Sequence, residues 1–229
     1  MPTRCPRTAR TTHRAVAALL LAVLMGCSGS DPGAMPEVLA IAEARGLALD
    51  SEATIEGYVT AAPGTFQSAI GDQGFALQDK TGGIYVSVSQ APAFGLGDHV
   101  RVHGTLTEVA EFTTLEANEA DVEVISGTQA VAPVPIATGE VGEPNEGLLV
   151  EIQGTVTQPV VDDSPYGFKV YLDDGSGEIQ VFVHLLAGAP VIDLSGLDVD
   201  VALEVVGLSA QYEATREVTP RIAEDLRLP

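Results

Sequence analysis

Residues 75–88 read FALQDKTGGIYVSV, and residues 170–183 read VYLDDGSGEIQVFV. In each, two apolar runs flank a short polar segment: Asp79-Lys80-Thr81-Gly82-Gly83 in the first, Asp174-Gly175-Ser176-Gly177-Glu178 in the second. Asp, Ser and Thr side chains bond to the backbone two residues on, and Gly tolerates positive φ, so each segment is a turn and each stretch a β-hairpin. The hairpins belong to a longer repeat. TIEGYVT (54–60) recurs as EIQGTVT (151–157), and GDHVRVHGTL (97–106) as LDVDVALEVVGLS (197–209). Gly57 matches Gly154, Asp79 matches Asp174, Ile84 matches Ile179 and Gly104 matches Gly207, at offsets of 97, 95, 95 and 103 residues. A near-constant offset over four landmarks marks a duplicated supersecondary unit.

Alternation then orients the strands. Ile55, Gly57 and Val59 share one face and Thr54, Glu56, Tyr58 and Thr60 the other. Gly57 and Gly154 fall mid-strand, where glycine marks a bulge or a sharp coil, and a small barrel needs such a bend to close. Val100 and Val102 point inward from a fourth strand, and residues 113–125 and 218–228 supply a fifth in each copy. Ahead of the first copy, residues 34–49 have helical spacing at Val38, Ile41 and Ala42, with Gly46 as a stop. The expectation is an all-β protein of two tandem five-stranded barrels after a short helix. The divisions are a signal over 1–26, a tether over 27–35, a first barrel with its leading helix over 36–130, a Pro- and Gly-rich linker over 131–146, and a second barrel over 147–229.

This plan resembles the OB fold. More closely, it is similar to the OB-fold domains of bacterial secreted proteins, a type found beside extracellular nucleases. The resemblance is carried by Ile41-Ala42-Glu43-Ala44-Arg45, by Ile55-Glu56-Gly57-Tyr58-Val59-Thr60, by Gln78-Asp79-Lys80-Thr81-Gly82-Gly83-Ile84 and by Gly97-Asp98-His99-Val100-Arg101-Val102-His103-Gly104. The second unit matches more loosely, and its end, from Gln211-Tyr212 through Thr219-Pro220-Arg221 to Glu224-Asp225-Leu226, resembles the closing strand. The resemblance covers the chain after about Val38. It implies binding across the second and third strands and their flanking loops, with single-stranded nucleic acid as the ligand it suggests.

The N-terminus reads as an export signal. Arg4, Arg7, Arg10 and Arg14 precede an apolar run from Ala15 to Met25. Eleven helical residues rise only about 16 Å, too short for a hydrocarbon core of about 30 Å. Leu24-Met25-Gly26-Cys27 resembles the bacterial lipobox, which implies cleavage before Cys27 and a lipid on its thiol; the alternative is an ordinary secretory signal with an incidental cysteine. Ser28 to Gly33 reads as a flexible tether. In the lipoprotein pattern, Ser28 rather than Asp after the lipid cysteine implies an outer membrane, where the organism has one. Cys5 and Cys27 are the two cysteines, so the mature domain is held by packing without disulfides.

Charge constrains the partner. The chain has 11 Lys and Arg against 32 Asp and Glu; removing residues 1–26 takes four arginines and no acids, leaving seven against 32 and a net charge of −25. Nucleic-acid affinity comes from Lys and Arg displacing counterions, so this composition disfavours nucleic acid unless Lys80, Arg101, Lys169 and Arg221 make a local cationic groove.

Outward positions on the second and third strands are the candidate site. In the second copy these are Lys169, Tyr171, Gln180 and Phe182; in the first they are Ala76, Gln78, Tyr85 and Ser87. Tyr171, Phe182 and Tyr85 offer stacking faces. The alternative is that Tyr171 and Phe182 form a cross-strand pair covered by the other barrel. His99 and His103 on one strand are about 13 Å apart, too far to share a metal ion. Asp162-Asp163 and Asp173-Asp174 lack calcium-loop spacing and read as turn chemistry. The chain has no G-x-S-x-G, Walker, H-E-x-x-H or dinucleotide-binding glycine motif. No catalytic residue, cofactor or metal is assigned. The functional expectation is a non-catalytic, lipid-anchored envelope protein binding an extracytoplasmic glycan, protein or single-stranded nucleic acid. An envelope scaffold that docks on other proteins is the alternative. A hydrolase would instead show a concave pocket holding acids of raised pKa.

Overall fold

Each copy closes into a barrel of its own in the computed structural model, which describes Met1 and residues 37–228. The export signal, the tether and Cys27 lie outside the described residues. The first copy contains β1 (Glu52–Ala61), β2 (Phe75–Gln78), β3 (Gly83–Ser87), β4 (Asp98–Val109) and β5 (Phe112–Glu116). Their neighbour order is β1-β2-β3-β5-β4, with β4 returning to β1; β3–β5 is parallel and the other pairings are antiparallel. The second copy contains β6 (Leu149–Val156), β7 (Gly167–Asp173), β8 (Ile179–Leu186), β9 (Ala202–Tyr212) and β10 (Thr215–Thr219). It repeats the scheme as β6-β7-β8-β10-β9, closing on β6, with β8–β10 parallel. Two five-stranded barrels with this strand order are tandem OB folds.

Inward alternation builds two separate cores. Ile55, Leu77, Ile84, Val100, Val102 and Leu115 meet in one, and Ile152, Val170, Leu172, Ile179, Val181 and Val218 in the other. Gly57 and Gly154 are sites of close approach: a Cβ would stand 3.1 Å from the Gln78 carbonyl oxygen at the first, and 3.0 Å from the Asp173 carbonyl group at the second. The register irregularity of the first barrel falls further on, between Val59 and Ala61. The fifth-strand stretches are each broken. Residues 113–125 divide between β5, a 3-10 turn at Glu119–Asp121 and an edge strand at Val122–Thr128 that runs back along β4. Residues 218–228 divide similarly, ending in Leu226–Arg227 against β9.

The duplication includes the segment ahead of each barrel. Val38–Leu39 pairs in parallel with β1 and leads into α1 (Ile41–Arg45). Val134–Pro135 pairs in parallel with β6 and leads into a 3-10 turn at Thr138–Glu140. The hairpin motif holds both. The Asp79 carboxylate accepts from the Ile41 N–H at 3.1 Å, and the Thr81 hydroxyl accepts from the Ala42 N–H at 3.1 Å. In the second copy Asp174 accepts from the Thr138 N–H at 3.2 Å, and Ser176 from the Gly139 N–H at 2.9 Å. The stretch read as a linker, 131–146, thus contains the leader of the second barrel.

The barrels are packed together. Phe66, Tyr85 and Phe112 of the first form an apolar cluster with Leu208 and Ala210 of β9. Gln78 Oε1 accepts from the Leu149 N–H at 2.9 Å. Gly83 and Gly147 meet backbone to backbone, so closely that a Cβ on Gly83 would lie 2.0 Å from the Gly147 carbonyl oxygen. Buried Glu146 binds Arg45 at 3.0 Å and Arg216 at 2.9 Å, and accepts from the Thr113 N–H at 3.2 Å. One carboxylate therefore ties α1, β5 and β10, and Glu143 bridges the same two arginines from outside.

Candidate ligand cleft between the barrels

Alternation sends Ala76, Tyr85 and Ser87 out of the first barrel; Ala76 and Tyr85 join the apolar cluster with Leu208 and Ala210 of the second, and the Ser87 hydroxyl donates to Asp72. Tyr85 has no exposed surface; its hydroxyl donates to Asp72 at 2.6 Å, and its ring packs against Phe66. Burial first, then the nearby Asp72, hold its phenol well above the ordinary value. Tyr85 is therefore a docking residue and not a stacking face open to a ligand. Gln78 is likewise spent on the Leu149 N–H.

The corresponding face of the second barrel lines a cleft of about 610 Å³. Its floor is β7, β8 and β10, with Lys169, Gln180, Phe182, His184 and Glu217. Its other wall is Gln67 to Gly71, from the loop between β1 and β2 of the first barrel, and Tyr166 and Tyr212 stand at its rim. Phe66 of that loop anchors it, edge-on to His184 with ring centres 5.1 Å apart.

Of the residues singled out from sequence, Lys169, Gln180 and Phe182 meet in this cleft. Tyr171 does not line it. Register sets Tyr171 opposite Gln180, to which its hydroxyl donates at 3.3 Å, and Lys169 opposite Phe182. Tyr171 and Phe182 are thus not direct cross-strand partners. Phe182 instead meets His184 edge-on at 4.9 Å. Its ring also lies over Gly167, where a Cβ would stand 2.9 Å away.

The four cations proposed as a groove do not converge. Lys169 is paired to Asp163 at 3.0 Å, Arg101 to Glu56 at 2.6 Å and Glu123 at 3.3 Å, and Arg221 to Asp225 at 2.7 Å; Lys80 is exposed at the first hairpin turn. Of the four, only Lys169 lines the cleft. On β4, His99 stacks on Tyr58 and His103 meets the Thr54 hydroxyl at 3.0 Å, so this face is a ladder of cross-strand pairs with β1. The acidic pairs do turn work: Asp173 accepts from the Gly175 N–H, Asp174 from Ser176 and Asp162 from Ser164.

Two buried titratable groups in the cleft were not found from sequence. Glu217 is 6% exposed, and its Oε2 accepts from the Gln180 amide at 2.8 Å. Burial pushes its carboxyl up to about 7, against the Gln180 amide and the charge of Lys169, with Asp163 adding to the rise. His184 is 5% exposed, burial pushes its imidazole down to about 4, and its Nε2 has no hydrogen-bond partner among the described residues. His184 continues the outward series Gln180, Phe182, and could have been read from it. Glu217 lies next to inward Val218, but nothing local shows that it is buried.

No protein-family model matches the chain, and no curated protein matches it. Among solved structures it is similar to a murine DNA-binding protein bound to double-stranded DNA, at 12% identity and TM-score 0.42, over 72% of this chain and 90% of that one. It is also similar to a replication protein A heterotrimer bound to single-stranded DNA, at 12% identity and TM-score 0.32, over 79% of this chain and 52% of that one. A third is a deletion mutant of the single-stranded DNA-binding protein of Thermus aquaticus, at 15% identity and TM-score 0.25, over 78% of this chain and 93% of that one. At these values the likeness carries no functional argument, and the fold assignment rests on the strand order itself.

Proposed function

We propose that this protein is a non-catalytic binding protein of the bacterial envelope, anchored by lipid on Cys27, that takes an extracytoplasmic ligand into the cleft between its barrels. The observation that carries this reading is the cleft. It is concave and walled by both barrels, as ligand sites are, and it sets the rings of Tyr166, Phe182 and Tyr212 among polar groups that include Gln67, Lys169, Gln180 and Glu217. The charge pattern favours a ligand other than nucleic acid. The mature chain is strongly acidic, and Lys169, the cation in the cleft, is matched by Asp163. Anchoring follows from the lipobox-like Leu24 to Cys27 and the apolar run before it.

The test is a titration of the purified protein, followed by NMR shifts of Tyr166, Lys169 and Tyr212, with solubilised cell-wall fragments and with oligo-dT at several salt concentrations. Shifts confined to the cleft are expected with the wall fragments and not with oligo-dT. Strong low-salt binding of oligo-dT would reverse the assignment. For the anchor, Cys27→Ser should abolish incorporation of labelled palmitate.

Glu217 favours one second reading, a hydrolase with this carboxyl as general acid. A paired mechanism would need a second carboxylate: Asp163 is held by Lys169, which leaves Glu213, on the exposed turn at the edge of the cleft, as its partner. Turnover of wall fragments that disappears in Glu217→Gln would establish the hydrolase instead.

A further inference from the structure

Among the described residues, Glu217 is a buried carboxyl without a counter-ion of its own. Its Oε2 is bound by a neutral amide, and Lys169, the ammonium closest to it in charge effect, is already paired with Asp163 at 3.0 Å. Taking a carboxylate from water without compensation is costly, so the site lacks a positive charge. The other groups facing it leave room for one. From β8, His184 is uncharged at neutral pH because of its burial. From the hairpin between β9 and β10, Glu213 adds a third acid to the lining, after Glu217 and Asp163. The loop of the first barrel contributes Gln67 and Ser68, which carry no charge. Tyr166, Phe182 and Tyr212 line the same space, and aromatic faces attract cations through their quadrupole.

From these residues we infer that the cleft binds an organic ammonium group, with Glu217 as its counter-ion and the aromatic side chains as its walls. The group comes either from a free small amine or from a lysine side chain of a partner peptide. The inference rests on the binding role proposed above and names the chemistry of that site. A phosphate would meet Glu213 and Glu217 as repulsive charges, and an uncharged sugar would bring no charge to offset the ionised form of Glu217. The acidic surface of the mature chain draws cations at long range.

Binding is coupled to a proton. The occupant stabilises the ionised form of Glu217, so the carboxyl releases its proton to the buffer when the ammonium enters. Affinity therefore rises between pH 6 and pH 8, by about tenfold for a group that titrates near 7.

The experiment is calorimetric titration of the purified protein at pH 6, 7 and 8, in two buffers of different ionisation heat. The probes are putrescine, choline, a glycine-flanked lysine peptide blocked at both termini and the same blocked peptide acetylated on its lysine, with maltotetraose and oligo-dT as uncharged and anionic probes. At least one cation should bind, more tightly at pH 8, with proton release; the acetylated peptide should not. Glu217→Gln should lower the affinity by about tenfold or more and flatten the pH dependence, with its circular dichroism spectrum and melting curve reporting the fold. Tyr212→Ala, on an exposed rim position, should weaken binding several-fold. Binding of putrescine or choline identifies a free amine as the source, and binding of the peptide alone identifies a protein partner. No binding of any cation at pH 8, or equal affinity in Glu217→Gln, overturns the inference. If maltotetraose or oligo-dT binds where the amines do not, the cation assignment falls and the binding role stands. If nothing binds and wall fragments leave the cleft resonances unmoved, both fall.

Discussion

In the first barrel, β2 and β3 send Ala76, Tyr85 and Ser87 outward; in the second, β7 and β8 send out Lys169, Tyr171, Gln180, Phe182 and His184. Both faces come from one duplicated unit. The first has small side chains around a single large ring, and β9 of the other barrel lies against it. The second has charged and hydrogen-bonding side chains, and only a loop of the other barrel reaches across it. Two identical faces cannot both dock and both bind in a head-to-tail pair. The duplication resolves this by giving one copy the contact and the other the cleft.

The largest expected effect comes from the ring that serves both faces. Phe66 packs on Tyr85 and Phe112 on one side and meets His184 on the other. Phe66→Ala should cost about 3 kcal/mol and loosen the cleft wall together with the docking contact, read as lowered denaturation midpoint and broadened Tyr166 and Tyr212 resonances. Gly83→Ala tests the docking face alone. Its new Cβ strikes the Gly147 backbone, and overpacking of this kind costs about 2 kcal/mol. A calorimetric trace that splits from one transition into two would show that this contact makes the barrels unfold together.

Smaller effects separate the copies. Asp79→Ala removes the cap on α1 and should cost about 1 kcal/mol. Asp174→Ala should act in the same direction on the second leader. Burial opposes ionisation of Asp79, but hydrogen bonds from the Thr81 hydroxyl and from the N–H groups of Ile41, Thr81 and Gly82 outweigh it and hold the carboxyl below its ordinary 3.8. The Ser176 hydroxyl and N–H, then Thr138, do the same for Asp174. A depressed folded value means stabilisation that is full above pH 3.8 and lost as the pH falls through the folded value. Each Asp→Ala variant should therefore lose part of the acid-side slope of stability.

Glu217 has the opposite sign. Its folded value, about 7, stands above its ordinary 4.5. The stability linked to its proton is full below 4.5 and lost as the pH rises through 7. Glu217→Gln should thus melt at least about 2 °C above the parent at pH 8 and show no such gain at pH 5.

The duplication, the two hairpins and the inward alternation were legible because they are local patterns. So was the outward placement of Lys169, Gln180 and Phe182, which depends on the strand period alone. The fate of an outward side chain is not local. Nothing in FALQDKTGGIYVSV distinguishes a Tyr85 that faces solvent from one sealed under Leu208 and Ala210. Glu217 was missed for the same reason, since its burial and its proton affinity come from neighbours on other strands. The second leader was within reach. Ile41-Ala42 and Thr138-Gly139 stand 97 residues apart, the offset of the two mid-strand glycines, but their small and dissimilar side chains hid the match.

Because the parallel strand and the clasped turn precede the barrel they belong to, the natural cassette of this chain starts before its first barrel strand. Dissection should respect that joint. A fragment of the second half cut at Leu149 would leave Asp174 and Ser176 with nothing to hold, whereas one starting ahead of Val134 would carry its own fastening.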